Sequence, residues 1–227
     1  VFSAQTWKQV GKVRAALERA HYERAVDLQG LLKSAVIGKW TKSFLMGYDK
    51  ASIKEPLASR FYDKTFTVSK SLSAVTRCRA LLANAFDYDW RDFPLDFGLK
   101  EIEAQSAQTP YAVFLVNTSR ETKLWSEAKW EALAKDCHRS GFDVRLIWGS
   151  PAERERVERI ASQSGDFCQV LPRMSIKDCA AWLQNAAFVV GVDTGLTYLA
   201  AATARPTVGL FLDYPVELVG VAGVGTV

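Results

Sequence analysis

Between residues 111 and 212 the chain alternates five short apolar runs with four stretches of helical periodicity, and this constrains the fold more than any other feature. The expected strands are 111–116, 144–148, 168–171, 188–192 and 207–212. The expected helices between them are 126–140, 151–164, 176–185 and 196–203. Strands that are apolar throughout, rather than on every second residue, are buried on both faces. That pattern belongs to a parallel sheet covered by helices on each side, a Rossmann-like α/β domain.

Turn chemistry supports the same boundaries. Trp125 and Trp130 flank Ser126 as a hydrophobic staple around a helix N-cap, and Ser175 with Asp178 has the spacing of a capping box. Gly141 falls where a helix C′ residue belongs.

The first half alternates too, but is short of strands. A helix carrying Trp7, Val10, Leu17 and Ala20 is expected first, then a short buried strand at 24–28 and a helix at 31–40. An extended segment at 44–48 follows, then a helix at 56–62 with Pro56 in its first turn and another through Leu72, Val75, Leu82 and Phe86. Residues 87–110 have no sustained period and hold Pro94 and Pro110, so a domain boundary is expected there, giving domains 1–95 and 96–227. A length of 227 residues suits a domain and a half. With no Met at Val1 and an apolar, Gly-rich run at 219–227, the chain reads as a piece of a longer protein.

Composition narrows the function classes. No stretch reaches the roughly 18 apolar residues of a spanning helix. Cys78, Cys137, Cys168 and Cys179 form no CxxC pair, and His21 and His138 are the only histidines, so zinc ribbons, disulfide frameworks and histidine-rich metal sites are not encoded. Residues 1–100 carry 17 cationic and 10 anionic side chains, and residues 101–227 carry 12 and 15. A basic first half suits anionic partners or a plain solvated surface. Aromatic residues do not interleave regularly with the basic ones, which argues against nucleic acid.

In parallel sheets, ligands bind beyond the carboxyl ends of the strands, which selects three loops. Residues 117–123 (NTSRETK) put hydroxyls, backbone N–H groups, Arg120 and Lys123 directly after a buried strand. That suits phosphate oxygens, and equally an ordinary capped βα loop. Residues 148–153 (WGSPAE) combine a close-turning Gly with Glu153 in a first helical turn, where it could meet ribose hydroxyls or simply favour the helix dipole. Residues 188–202 end an apolar strand in Asp193-Thr194-Gly195, so a carboxylate meets a helix N-terminus. That arrangement handles a sugar hydroxyl and a phosphate together, and also describes an N-cap before a packing helix.

Other motifs count against alternatives. GxGxxG, GxxxxGK[ST] and GxSxG are all missing, so dinucleotide dehydrogenases, P-loop NTPases and α/β-hydrolases lack support. Asp87-Tyr88-Asp89 has the form of a metal-binding DxD, but lies in the linker rather than after a strand.

Taken in order, DLQGLLKSA (27–35), EPLA (55–58), YAVFL (111–115), Lys123-x-Trp125, Trp148-Gly149-x-Pro151, Leu171-Pro172-x-Met174-Ser175 and VDTGL (192–196) resemble the lipopolysaccharide heptosyltransferases, glycosyltransferases of the GT-B fold. The resemblance implies a C-terminal Rossmann-like donor domain and a partial N-terminal Rossmann-like acceptor domain. It implies inverting, metal-independent transfer of heptose from ADP-heptose to the Kdo region of the lipid A core. It further implies a cytoplasmic protein with peripheral contact at the inner membrane.

Residue by residue, Thr118, Ser119 and Lys123 match the family's diphosphate contacts and Glu153 an acid near the adenosine ribose. Met174 matches a residue lining the adenine pocket, and Asp193, Thr194 and Gly195 match the motif meeting heptose and phosphate. Lys123 and Asp193 would carry the chemistry, and Lys54 would face the acceptor.

The departures are equally specific. The family opens with a strand and a Gly-Asp loop whose Asp is the general base. This chain is expected to start after that region and to lack the last helices, so such a fragment would be inactive alone. Tyr198 stands where many members have His, and Lys54 where many have Arg, which loses bidentate recognition. Leu212-Asp213-Tyr214-Pro215 replaces a Gly-Pro-Thr-Asp-Pro loop. A nucleotide-sugar binding module without catalysis, or a sibling enzyme with another acceptor, fits the same residues.

Overall fold

The computed structural model describes residues 4–99, 109–213, 215–223 and 225–226. It divides into two compact units, Val1–Pro94 and Leu95–Val227.

The second unit is built on a five-stranded sheet of β4 (Tyr111–Leu115), β5 (Asp143–Leu146), β6 (Cys168–Val170), β7 (Phe188–Val192) and β8 (Thr207–Leu210). All neighbours pair parallel, in the order β6-β5-β4-β7-β8. The chain winds outward from β4 in one direction and then from β7 in the other, so the sheet reverses between those two strands. All five residues of β4 are buried, which explains its unbroken apolar sequence.

Because side chains alternate along a strand, Ala112, Phe114 and Val116 join one core with Trp130, Ala134, Val157 and Ile160. The contributing helices are α4 (Glu127–Arg139) and α5 (Pro151–Ser164). Tyr111, Val113 and Leu115 join the opposite core with Leu183 and Ala200, from α6 (Ile176–Asn185) and α7 (Gly195–Ala202). The five expected strands and four expected helices are all present. Strands β4, β5, β6 and β8 end one or two residues early; for example, Trp148 leaves the ladder and its indole N–H donates to Leu171 O at 2.8 Å. A short helix, α8 (Val216–Val219), follows β8 and was not expected.

The caps follow the sequence logic. Trp125 and Trp130 meet edge to face at 5.1 Å. Gly141 has φ +89°, the left-handed conformation of a C′ glycine. Ser175 and Asp178 form a reciprocal capping box, as do Ser150 and Glu153.

The first unit holds α1 (Ala4–Arg19), α2 (Leu32–Lys39) and α3 (Ala74–Phe86) with a parallel sheet in the order β1 (Arg24–Val26), β2 (Phe44–Tyr48), β3 (Lys64–Phe66). Three expectations need correction. β1 is a half-exposed edge strand, and stops at Val26 because the Asp27 carboxylate accepts from Gln29 N and Gly30 N to form a turn. The segment Pro56–Phe61 is a 3-10 helix. β3 was not expected at all.

Asp27 organises this unit. Its buried carboxylate also accepts from Ser34 Oγ at 2.7 Å and Tyr62 OH at 2.8 Å. Gly47 lies under the Tyr62 ring, where any Cβ would collide with it.

Candidate functional site

The sheet reversal brings two strand ends together. The Thr118 hydroxyl, just past β4, donates to Asp193 O just past β7, at 2.8 Å. Lys123 sits in a 3-10 turn, Glu121–Lys123, and its Nζ donates to Asp193 Oδ2 at 2.5 Å. Each of these two side chains is only 14% exposed. In a pair so sheltered from water, desolvation offsets much of the attraction, but removing one partner leaves the other as an uncompensated charge.

Tyr198, one turn into α7, closes the other side of the carboxylate. Its hydroxyl donates to Val219 O at 2.7 Å and lies 3.2 Å from Asp193 Oδ1. Burial first, and the Asp193 charge second, push the phenol up to about 12.

The start of α7 is open. Thr194 is its N-cap residue without a side-chain capping bond. Thr197, one turn later, turns its hydroxyl back to Val192 O at 2.7 Å. Two glycines frame this corner for different reasons. A Cβ on Gly191 would run into Thr197 Oγ1 and come within 3.0 Å of Leu115 Cβ, so packing demands that glycine. A Cβ on Gly195 would meet nothing within 4 Å. Its backbone carries no left-handed φ either. The missing side chain at Gly195 instead leaves the helix N-terminus and its N–H groups open to an approaching group.

Beside this corner is a cavity of about 240 Å³, lined from the ends of β4, β5 and β7 and the start of α6. Ile147, Trp148, Met174, Ile176 and Leu196 give it apolar walls, with Asn117, Glu153 and Thr194 as polar points. Glu153 is already engaged: Oε2 accepts from Gly149 N at 2.7 Å and Ser150 N at 3.2 Å, shaping the cavity rim. Arg173 Nε donates to Gly149 O at 3.1 Å, tying the β6–α6 loop to the same rim.

The structure therefore gathers Thr118, Lys123, Asp193, Thr194 and Gly195 at one corner, with Glu153 and Met174 in the adjoining cavity. Ser119 is exposed in the same loop. Lys54 belongs to the first unit, where it is exposed and neighbours Glu55, whose Oε2 accepts from Leu32 N at 2.7 Å.

Asp89 of the DxD is spent on Arg91, at 2.9 Å to both Nε and NH2, and Asp87 is a left-handed helix cap. Among the described residues, no group of three His, Cys, Asp or Glu side chains is placed to hold a metal ion. Sequence reading passed over Asn117, Ile176, Cys179 and Leu196. Asn117 lies inside the 117–123 loop that the strand-end rule selects, but nothing in the sequence separates it from an ordinary polar residue after a strand.

A cation, a hydroxyl and a helix N-terminus beside an apolar slot can hold an anionic group and a flat, uncharged ring together. Residues 10–220 match the model of glycosyltransferase family 9 (heptosyltransferase). Lipopolysaccharide heptosyltransferase 1 of Pseudomonas aeruginosa is 42% identical over 203 residues, 88% of this chain and 57% of its own length.

Among solved structures, E. coli heptosyltransferase WaaC with ADP superposes with a TM-score of 0.90 at 34% identity, covering 99% of this chain and 71% of that one. The same enzyme with ADP-2-deoxy-2-fluoro heptose gives 0.82 at 35% identity, covering 92% and 67%. The chain thus spans a little over half the length of the Pseudomonas relative.

Proposed function

Given that the chain belongs to glycosyltransferase family 9, the heptosyltransferases, we propose that its second unit binds ADP-heptose at the β4–β7 corner. In this reading it serves heptose transfer to the Kdo region of the lipid A core. The observation that carries it is the Lys123–Asp193 pair, set between an open helix N-terminus and an apolar slot.

The adenosine occupies the slot, against Met174, with Glu153 at the ribose. The diphosphate lies along Thr118, Ser119 and Lys123 toward Gly195. Thr194 and Asp193 meet the phosphate and heptose end. The E. coli relative held with ADP and with an ADP-heptose analogue supports this placement.

Inverting transfer breaks the bond between the anomeric carbon and the diphosphate oxygen while an acceptor hydroxyl forms the new one from the opposite face and gives its proton to a general base, a role assigned to none of the residues named here. Negative charge grows on the departing ADP. Lys123 and the α7 N–H groups face the place where that charge develops, which stabilises the transition state more than the ground state. Asp193, released from Lys123 by the diphosphate, is then free to accept a heptose hydroxyl. In this reading charge neutralisation falls to these groups, with no metal assigned.

The acceptor belongs to the first unit, through Lys54 and the other exposed cations that give residues 1–100 their positive excess. An acceptor carrying anionic sugars on a lipid implies work at a membrane surface, in peripheral contact. No described helix is long and apolar enough to cross a membrane.

The test is ADP release from ADP-heptose by the native full-length protein, with and without a Kdo-bearing lipid A acceptor. Release that requires the acceptor supports the reading. Binding of ADP-heptose without release points instead to a nucleotide-sugar binding module, and release only with a heptosylated acceptor points to a sibling enzyme.

A further inference from the structure

Asn117 is the first residue beyond the buried run of β4, and it is among the residues that line the cavity, with Leu115, Ile147, Met174 and Cys179. Its Nδ2 is buried and has no hydrogen-bond partner. A buried amide nitrogen left unpaired costs about 1–3 kcal/mol, so the fold alone gives no reason for Asn at this position. An apolar residue of the same size would fill it at lower cost. Trp130 Nε1 is also unpaired, but lies in the core against Phe114 and Trp125, where burial of the indole is itself stabilising.

We propose that Asn117 is a further ligand-contacting residue, whose side-chain amide hydrogen-bonds the heteroaromatic base of the nucleotide. The inference rests on the donor-site reading above and adds a residue which that reading leaves out.

Two arguments select the base. The cavity that Asn117 lines is mostly apolar and has no Lys or Arg in its lining, so a phosphate placed there would lose its hydration without a cation to replace it, while an uncharged ring would not. A carboxamide also offers a donor and an acceptor side by side, and an adenine edge presents the complementary pair. Phosphate recognition stays with Lys123 and α7, neither of which supplies a cation to the cavity lining.

The experiment compares the wild-type chain with Asn117→Leu and Asn117→Asp. Calorimetry measures ADP affinity, and adenosine and inorganic pyrophosphate are tested as competitors that displace ADP. Asn117→Leu should weaken ADP and adenosine alike, by about tenfold or more, and leave pyrophosphate unchanged. Its ligand-free melting temperature should hold or rise, because the unpaired amide is gone. Asn117→Asp keeps the shape but loses the donor, and should weaken ADP and adenosine in the same way.

Unchanged ADP affinity in both variants overturns the proposal, as does a fall in melting temperature with affinity intact, which marks a structural residue. Equal weakening of ADP and pyrophosphate overturns the base assignment in favour of a phosphate contact. If the wild-type chain binds neither ADP nor adenosine, the donor-site reading itself fails and Asn117 falls with it.

Discussion

Lys123 Nζ sits 2.5 Å from Asp193 Oδ2, joining the loops after β4 and β7 across the point where the sheet reverses. The pair is largely withdrawn from water, so an incoming diphosphate must compete with the carboxylate for the ammonium. The two partners should therefore respond oppositely to substitution. Lys123→Met removes the cation and leaves Asp193 without its main counter-charge. ADP affinity should fall about ten- to a hundredfold, and stability by about 1–3 kcal/mol.

Asp193→Asn releases the cation and removes a negative charge from the phosphate path. ADP should then bind several-fold more tightly, while heptose transfer drops because the sugar loses an acceptor. Calorimetry with ADP and a transfer assay separate these effects. Equal weakening of ADP by both substitutions would mean that the carboxylate holds the nucleotide rather than competing with it.

Gly191 and Gly195 lie four residues apart and make opposite predictions. Gly191→Ala forces a Cβ onto Thr197 Oγ1 and against Leu115, so it should destabilise the unit by about 1–3 kcal/mol. Gly195→Ala meets no protein atom, and alanine is the better helix former, so its melting temperature should stay level or rise slightly. Its ADP affinity should fall, because the methyl group stands where the phosphate approaches. Thermal melts and ADP titration of the two variants read both outcomes. Unchanged ADP binding in Gly195→Ala would place the ligand away from α7.

Much of this was legible in the sequence, and the reasons are specific. β4 is buried on both faces, so its apolar run could not be mistaken for a surface strand. Ser150 and Ser175 announce their helices because an N-cap must satisfy backbone N–H groups whatever the tertiary fold. β3 was missed because Lys64, Thr65 and Phe66 form three residues of a sheet edge, two of them exposed, with no pattern to read.

The loops carrying Lys123 and Asp193 were selected by the strand-end rule. Their pairing across 70 residues depends on β7 lying beside β4, which no local pattern encodes. Asn117 was hidden differently: a polar residue after a strand is ordinary, and only its burial without a partner marks it.

Tyr198 carries the alkaline behaviour of the site. Its phenol, like those of Tyr48 and Tyr111, is pushed from 10.0 to about 12 by burial. The raised folded value means that the neutral phenol is favoured in the native state. The stability these groups contribute is complete below pH 10 and is lost as pH rises from 10 toward 12. Thermal melts across that range should fall, and phenolate absorbance should lag behind that of the unfolded chain. Tyr198→Phe should flatten part of the decline and release Val219, at a cost of about 1 kcal/mol at neutral pH. A melting curve indifferent to pH up to 12 would contradict the buried phenols.

Glu153 has two possible jobs that a single substitution would confound. Its Oε2 closes the capping box by accepting from Gly149 N and Ser150 N, and its carboxylate also lines the cavity. Glu153→Gln retains an acceptor oxygen of the same reach, so the cap and the rim should persist with little loss of stability. Glu153→Ala removes the acceptor and should cost about 1 kcal/mol, loosening the Gly149 turn.

If the carboxylate also receives ribose hydroxyls, exchanging its charged oxygens for a neutral amide weakens that contact, since hydrogen bonds to charged groups are the stronger ones. ADP affinity should then fall several-fold in Glu153→Gln at an unchanged melting temperature. It should fall further in Glu153→Ala, where melting also drops. The comparison that decides is 2′-deoxy-ADP and 3′-deoxy-ADP against ADP on the wild type and on Glu153→Gln. A ribose contact predicts that the preference for ADP over at least one deoxy nucleotide shrinks in the variant. A preference that survives intact, with affinity lost only in Glu153→Ala, would leave Glu153 with the cap alone.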